Sequence, residues 1–123
     1  MSGDAHAPQT GPAHPEVVDL SSLADDLLAR AEQDAQHKAS HLVVNGKAQR
    51  AVLMAILSGG GLAEHASPPA ATLHVLRGRV RLYAAAGAEW AVSAGQVVPI
   101  PADRHAVDAL EDSVILLTVA LQP

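Results

Sequence analysis

From residue 41 onward the chain is cut into short apolar segments by turn signals at close, regular intervals, with no helical stretch between them. The segments are His41–Asn45, Gln49–Leu57, Leu62–His65, Thr72–Leu76, Arg79–Tyr83, Glu89–Val92, Val97–Ile100, His105–Leu110 and Val114–Leu121. Between them stand Asn45-Gly46, the Ser58–Gly61 run, Ser67-Pro68-Pro69, Gly78, Gly87, Ala94-Gly95 and Glu111-Asp112. Segments this short cannot form stable helices, and such punctuation predicts a succession of strands closing into an all-β sandwich or barrel. In Arg79-Val80-Arg81-Leu82 the alternation is explicit: the arginines are expected to face out, Val80 and Leu82 in.

One stretch follows a different period. From Leu20 to about Lys38, Leu23, Leu27, Leu28, Ala31 and Ala35 share a helical stripe, and Asp25, Asp26, Arg30, Glu32 and Gln33 lie off it. Ser21 or Ser22 is the expected cap, acidic residues suit the first turn, and His37 and Lys38 suit the last. The apolar stripe needs cover, from the following domain or from a second subunit. The preceding segment mixes Pro, Gly, His and Ala without period and is expected to form a disordered tail. The expected organisation is therefore a tail over 1–18, a helix over 19–39 and a barrel over 41–123.

Composition removes several classes of function. The chain has 123 residues, one domain's worth, and no cysteine, which excludes disulfides, thiolate metal sites and thiol nucleophiles. Its formal net charge is −5 with no Lys/Arg block, so nothing offers a footprint for nucleic acid. Tyr83 and Trp90 are the only aromatic residues, which also disfavours stacking on single strands. The longest apolar run, Ala51–Leu57, is far below the roughly 20 residues that cross a bilayer. Residues 1–18 lack the basic start and apolar stretch of a signal peptide. A soluble, cytoplasmic protein without nucleic-acid or membrane partners is expected.

Two regions carry a family likeness. The string LHVLRGRVRLY (Leu73–Tyr83) resembles the cupin segment in which a strand ends in a V-L-x-G turn and the next begins. AGQVVPIPADRH (Ala94–His105) resembles the second cupin motif, with a turn glycine, an apolar strand, a proline and a histidine. The likeness spans roughly residues 50–121 and is to small single-domain cupins of the rhamnose-epimerase type. It implies an all-β fold, a double-stranded β-helix (the cupin jelly-roll barrel), here with one N-terminal amphipathic helix. It also implies a homodimer.

The resemblance further implies where a metal site would lie. The family's centre uses three histidines and one glutamate. Counting back from the turn glycine, Gly78, the first motif's histidines fall on His65 and Ser67 and its glutamate on Ala71. The second motif supplies His105. Two positions therefore match and two do not, and a divalent transition metal (Zn, Fe, Mn or Ni) held by two histidines alone is held weakly. Glu64 and His74 are the local residues that would rebuild the site, each only if a bulge re-aims it, because strand neighbours point to opposite faces.

The ligand-binding candidates are thus His65, His74, His105 and, at a cavity rim, Tyr83. For His74 an interface or structural role weighs more, and for Tyr83 a packing role does. Two functions follow. One is a small-molecule-binding cupin without turnover, with a Val/Leu/Ala-rich interior and a reduced histidine site. The other is a metal-dependent oxygenase or isomerase using His65 and His105. Ser58–Gly61 lacks the Lys-Ser/Thr of a phosphate loop and reads as a flexible turn. Asp103-Arg104 reads as a surface turn with an ion pair.

Overall fold

The computed structural model describes residues 15–65 and 68–121, so most of the expected tail over 1–18 lies outside the described residues. Every expected strand forms. After α1 (Leu20–Gln33) come β1 (Lys38–Asn45), β2 (Gln49–Ile56), β3 (Gly61–His65), β4 (Ala70–Arg77) and β5 (Arg79–Ala84). They are followed by β6 (Glu89–Ser93), β7 (Val97–Pro99), β8 (His105–Ala109) and β9 (Ser113–Ala120). Two antiparallel sheets result, one ordered β1-β2-β9-β4-β7 and the other β3-β8-β5-β6.

Strand alternation builds the interior between them. Met54, Ile56, Leu73, Val75, Ile115 and Leu117 of the first sheet meet Val80, Leu82, Val92, Val107 and Ala109 of the second. Val80 and Leu82 are fully buried and Arg79 and Arg81 are not, as period two requires. The other face of the larger sheet presents Leu53, Ala55 and Val114, and α1 lays Ala24, Leu27 and Ala31 on them. The buried part of the helix stripe is therefore covered by the chain's own barrel. Arg77, at the end of β4, adds a tie: its guanidinium donates to the Asp25 carboxylate at 2.6 Å and to the Ser21 carbonyl at 3.0 Å.

The helix is shorter than its periodicity suggests, and both of its ends correct the expectation. Asp19, rather than Ser21 or Ser22, is the N-cap, accepting from the Ser21 and Ser22 amides and from the Ser22 hydroxyl. No acidic residue lies in the first turn. At the other end the Asp34 carboxylate accepts from the amides of Gln36 (2.9 Å) and Lys38 (3.4 Å). This local bonding offers the backbone an alternative to the next helical turn. Helix geometry stops at Gln33, His37 takes a left-handed φ of 58°, and Lys38 begins β1. Ala35 consequently falls outside the helix and is exposed.

The capping bonds hold the Asp19 carboxyl below its ordinary value of 3.8, the Ser22 hydroxyl contributing most. A lowered folded-state value means that the cap stabilises above the ordinary value and loses that contribution as pH falls through the lower one. Asp19→Ala should therefore lower the melting temperature at neutral pH, and the gap to the parent should close in strong acid. Melting curves across that range test this; a gap independent of pH would rule out the charged cap.

Candidate ligand site at the histidine end of the barrel

Antiparallel strands alternate direction, so the connections fall into two groups at opposite ends of the barrel. At one end lie the connections before β3, β5, β7 and β9. At the other lie those linking β1–β2, β3–β4, β5–β6 and β7–β8. His65 ends β3 and His105 opens β8, which puts both at the second end. There the Ala85 amide donates to the Arg104 carbonyl at 2.7 Å, joining two connections, and the Leu121 amide just past β9 donates to the Ala48 carbonyl at 3.0 Å.

A bulge sets the register. Along β3 and β8 the pairs are Gly61 with Asp108, Leu62 with Val107 and His65 with His105. Two steps on β8 thus match three on β3, and the irregularity lies between Leu62 and His65. Leu62 opposes Val107, an interior residue, so strict alternation would have set residue 65 at an outward position. The extra residue reverses that parity and brings position 65 opposite His105. Gly61 begins this strand because β8 lies too close for anything larger: a Cβ there would stand 2.2 Å from the Val107 carbonyl oxygen.

His105 is 2% exposed, on the same face of β8 as Val107 and Ala109 and opposite Ala84 of β5. Its Nδ1 lies 3.1 Å from the Asp103 carbonyl oxygen. A carbonyl can only accept, so Nδ1 carries the proton, and in the neutral ring Nε2 is the acceptor. The larger sheet closes this end with a row read off the pairing: Arg50 opposes Val119, and Val119 opposes Ala71. The Ile100 amide, donating to the Ala71 carbonyl at 2.9 Å, extends the row. Ala71, Val119 and Ile100 are half-buried and Arg50 is exposed at the rim. The sequence signal for the place of Arg50 in this row is its parity with Val52, Met54 and Ile56.

The other candidates face elsewhere. His74 pairs with Leu116 on the face covered by α1, since Leu73 and Val75 take the interior positions on either side of it. Tyr83 alternates out from Leu82 and Ala84 on the smaller sheet. There its hydroxyl lies 3.4 Å from Asp108 Oδ1, and the Arg81 guanidinium stacks 4.3 Å over its ring. Arg81 also bridges Asp108 at 2.9 Å and Glu89 at 3.1 Å, and the Asp108 hydrogen bond raises its pKa above the ordinary value. The cluster is an outer-surface network remote in facing from the histidines. Glu64 accepts from Arg104 at 3.1 Å, both about half exposed, so the surface ion pair at this turn runs to Glu64 rather than Asp103.

These donors do not fit a divalent transition metal. Such an ion takes three or four nitrogen, oxygen or sulfur ligands. Ala71 has no donor, and Glu64 is engaged with Arg104. Among the described residues no three His, Asp or Glu side chains gather around one point. No helix among them is long and apolar enough to cross a membrane.

No protein-family model matches the chain, and no curated protein does. Solved structures do match. A conserved protein of unknown function from Streptococcus pyogenes is 21% identical, with 97% of this chain and 98% of that one covered and a TM-score of 0.69. A cupin superfamily protein from Desulfitobacterium hafniense is 14% identical over 94% of this chain and all of that one, with a TM-score of 0.70. An RmlC-like cupin from Desulfovibrio desulfuricans is 21% identical over 89% and 94%, with a TM-score of 0.64.

Proposed function

Starting from a chain that has the cupin fold, we propose that it is a binding module without turnover. It holds a small, mostly apolar molecule at the histidine end of the barrel. The supporting observation is the β3 bulge, which spends an extra residue to set position 65 opposite buried His105. His105 itself is buried on the face of β8 that carries Val107 and Ala109. Ala71, Val119, Ile100 and Leu117 supply an apolar wall of half-buried side chains. His105, buried and with Nδ1 held by the Asp103 carbonyl, is the polar side chain at this end of the interior. His74 and Tyr83 take no part in this reading, because their faces lie outside the barrel.

A fragment screen by NMR on the full, isotope-labelled chain tests it. Hits should shift the backbone amides of His105, Leu117 and Val119. Removing the imidazole in His105→Leu should weaken them about tenfold, the order of one lost buried polar contact. His105→Gln, which keeps a polar side chain, guards against loss of fold in the leucine variant. Elemental analysis of untagged protein covers the alternative. Stoichiometric metal that disappears in His105→Gln would replace the binding module with a metal-dependent oxygenase or isomerase.

A further inference from the structure

We propose that β1 is the contact between two copies of this chain. It pairs antiparallel with β1 of the second copy about a two-fold axis at His41, and Leu42 of each copy fills a hollow beside Ser40 of the other. Among the described residues the sheets have four edge strands, β1 and β7 in the larger and β3 and β6 in the smaller. Such edges recruit further strands unless something shields them. β7 is three residues long and ends in Pro99. β6 carries Glu89, and its Ser93 amide donates to Gln96 Oε1 at 2.8 Å. β3 is bulged and carries Glu64. β1 has eight residues and, from Ala39 to Asn45, no proline and no Asp, Glu, Lys or Arg. Its own bulge falls after Leu42, so Lys38–Leu42 stays regular.

The backbone along this edge is ready to pair. The Leu57 amide donates to the His37 carbonyl at 2.9 Å, in the register that sets Lys38 against Ile56. Hydrogen-bonded and non-bonded pairs alternate along an antiparallel ladder, so Ala39 and His41 bond to β2. Ser40 and Leu42 therefore turn their N–H and C=O groups outward, where no strand of the described residues meets them. Pro15, Glu16 and Val18 stand beside His41–Asn45 across a groove of about 350 Å³.

The side chains select a second copy as the partner. Ser40 opposes Met54 and Leu42 opposes Val52, so both lie on the interior face of the sheet. Leu42 is nonetheless 42% exposed. Close by, Lys38, Ala39, Ser40, Met54 and Leu62 line a hollow of about 170 Å³. With the axis at His41, Ser40 of one copy faces Leu42 of the other, and directly opposed residues share a face. Each exposed leucine then lies over its partner's hollow. A foreign strand would gain the backbone bonds alone; a second copy brings the leucine by symmetry, twice. Over Ala39–Asn45 no carboxylate, lysine or arginine is set against its own copy.

Sedimentation equilibrium of the full chain tests this. The parent should dimerise, with a melting temperature that rises with concentration. Leu42→Ala should raise the dissociation constant at least about tenfold, the order of an apolar side chain left unburied. His41→Glu and His41→Lys each set like charges across the axis, so each should be monomeric. Both should melt as the diluted parent does, because His41 is exposed. Mixing the two variants should restore a mixed dimer, since the facing charges are then opposite. A parent that stays monomeric into the millimolar range overturns the proposal. So does a dimer indifferent to all three substitutions, or a mixture of the charged variants that stays monomeric.

Discussion

Gly78→Ala is expected to lower the unfolding free energy by about 3 kcal/mol, through two costs that act at once. Gly78 sits between β4 and β5 with a φ of 80°, a region where a side chain is strained. A Cβ there would also meet the Asp112 carbonyl oxygen at 2.3 Å and Ser113 Oγ at 2.4 Å. Neither can yield easily. Ser113 is completely buried, accepts from the Arg79 amide at 3.1 Å and lies 2.8 Å from the Glu111 carbonyl, to which its hydroxyl can donate. Displacing it would break the bonds that hold the β8–β9 turn against the β4–β5 turn. Gly95→Ala provides the control, since it has the same sign of φ (85°) and open space where the Cβ would go. That variant should cost about 1 kcal/mol, the strain alone. Urea unfolding of both variants decides the matter, and equal losses would refute the close-approach argument.

Leu27→Ala should cost a comparable amount, about 3 kcal/mol, for a different reason. Leu27 is fully buried where α1 meets the outer face of the larger sheet, among Ala24, Ala31, Leu53, Ala55 and Val114. Three of those five neighbours are alanines, which cannot extend into the space that truncation leaves. The loss therefore includes most of the cavity cost as well as the transfer of the leucine side chain. For a domain of this length a loss of that size lowers the melting temperature by roughly 10 °C. Hydrogen exchange gives the finer readout: amides of α1 should lose protection first, and those of β5 and β8, on the other sheet, least. An unchanged melting temperature would mean that α1 does not unfold with the barrel.

The residue patterns legible before any fold is known are those set by neighbours in the chain. Turn residues mark all nine strands to within a few positions, because a glycine at positive φ or a proline ends a strand wherever it falls. Period-two alternation gives the facing of Val80 and Leu82, and also turns His74 away from the interior between Leu73 and Val75. The amphipathic stripe announces α1 but runs on past its C-terminal end at Gln33. Periodicity counts apolar residues, whereas the helix ends on the Asp34 carboxylate's bonds to Gln36 and Lys38.

What the sequence by itself determined is thus the identity of each strand, the facing of β4 and β5, and the amphipathic helix. Only the tertiary structure decided which strands meet and in what register, and the site depends on that. Glu64 and His65 cannot be sorted by alternation alone, because the bulge that reverses their parity arises from pairing with β8, forty residues away in sequence. Arg50 joins Val119 and Ala71 in one row only once β2 and β4 have both paired with β9. Strand facing is a local property of backbone geometry; register is a property of two strands, and no single segment contains it.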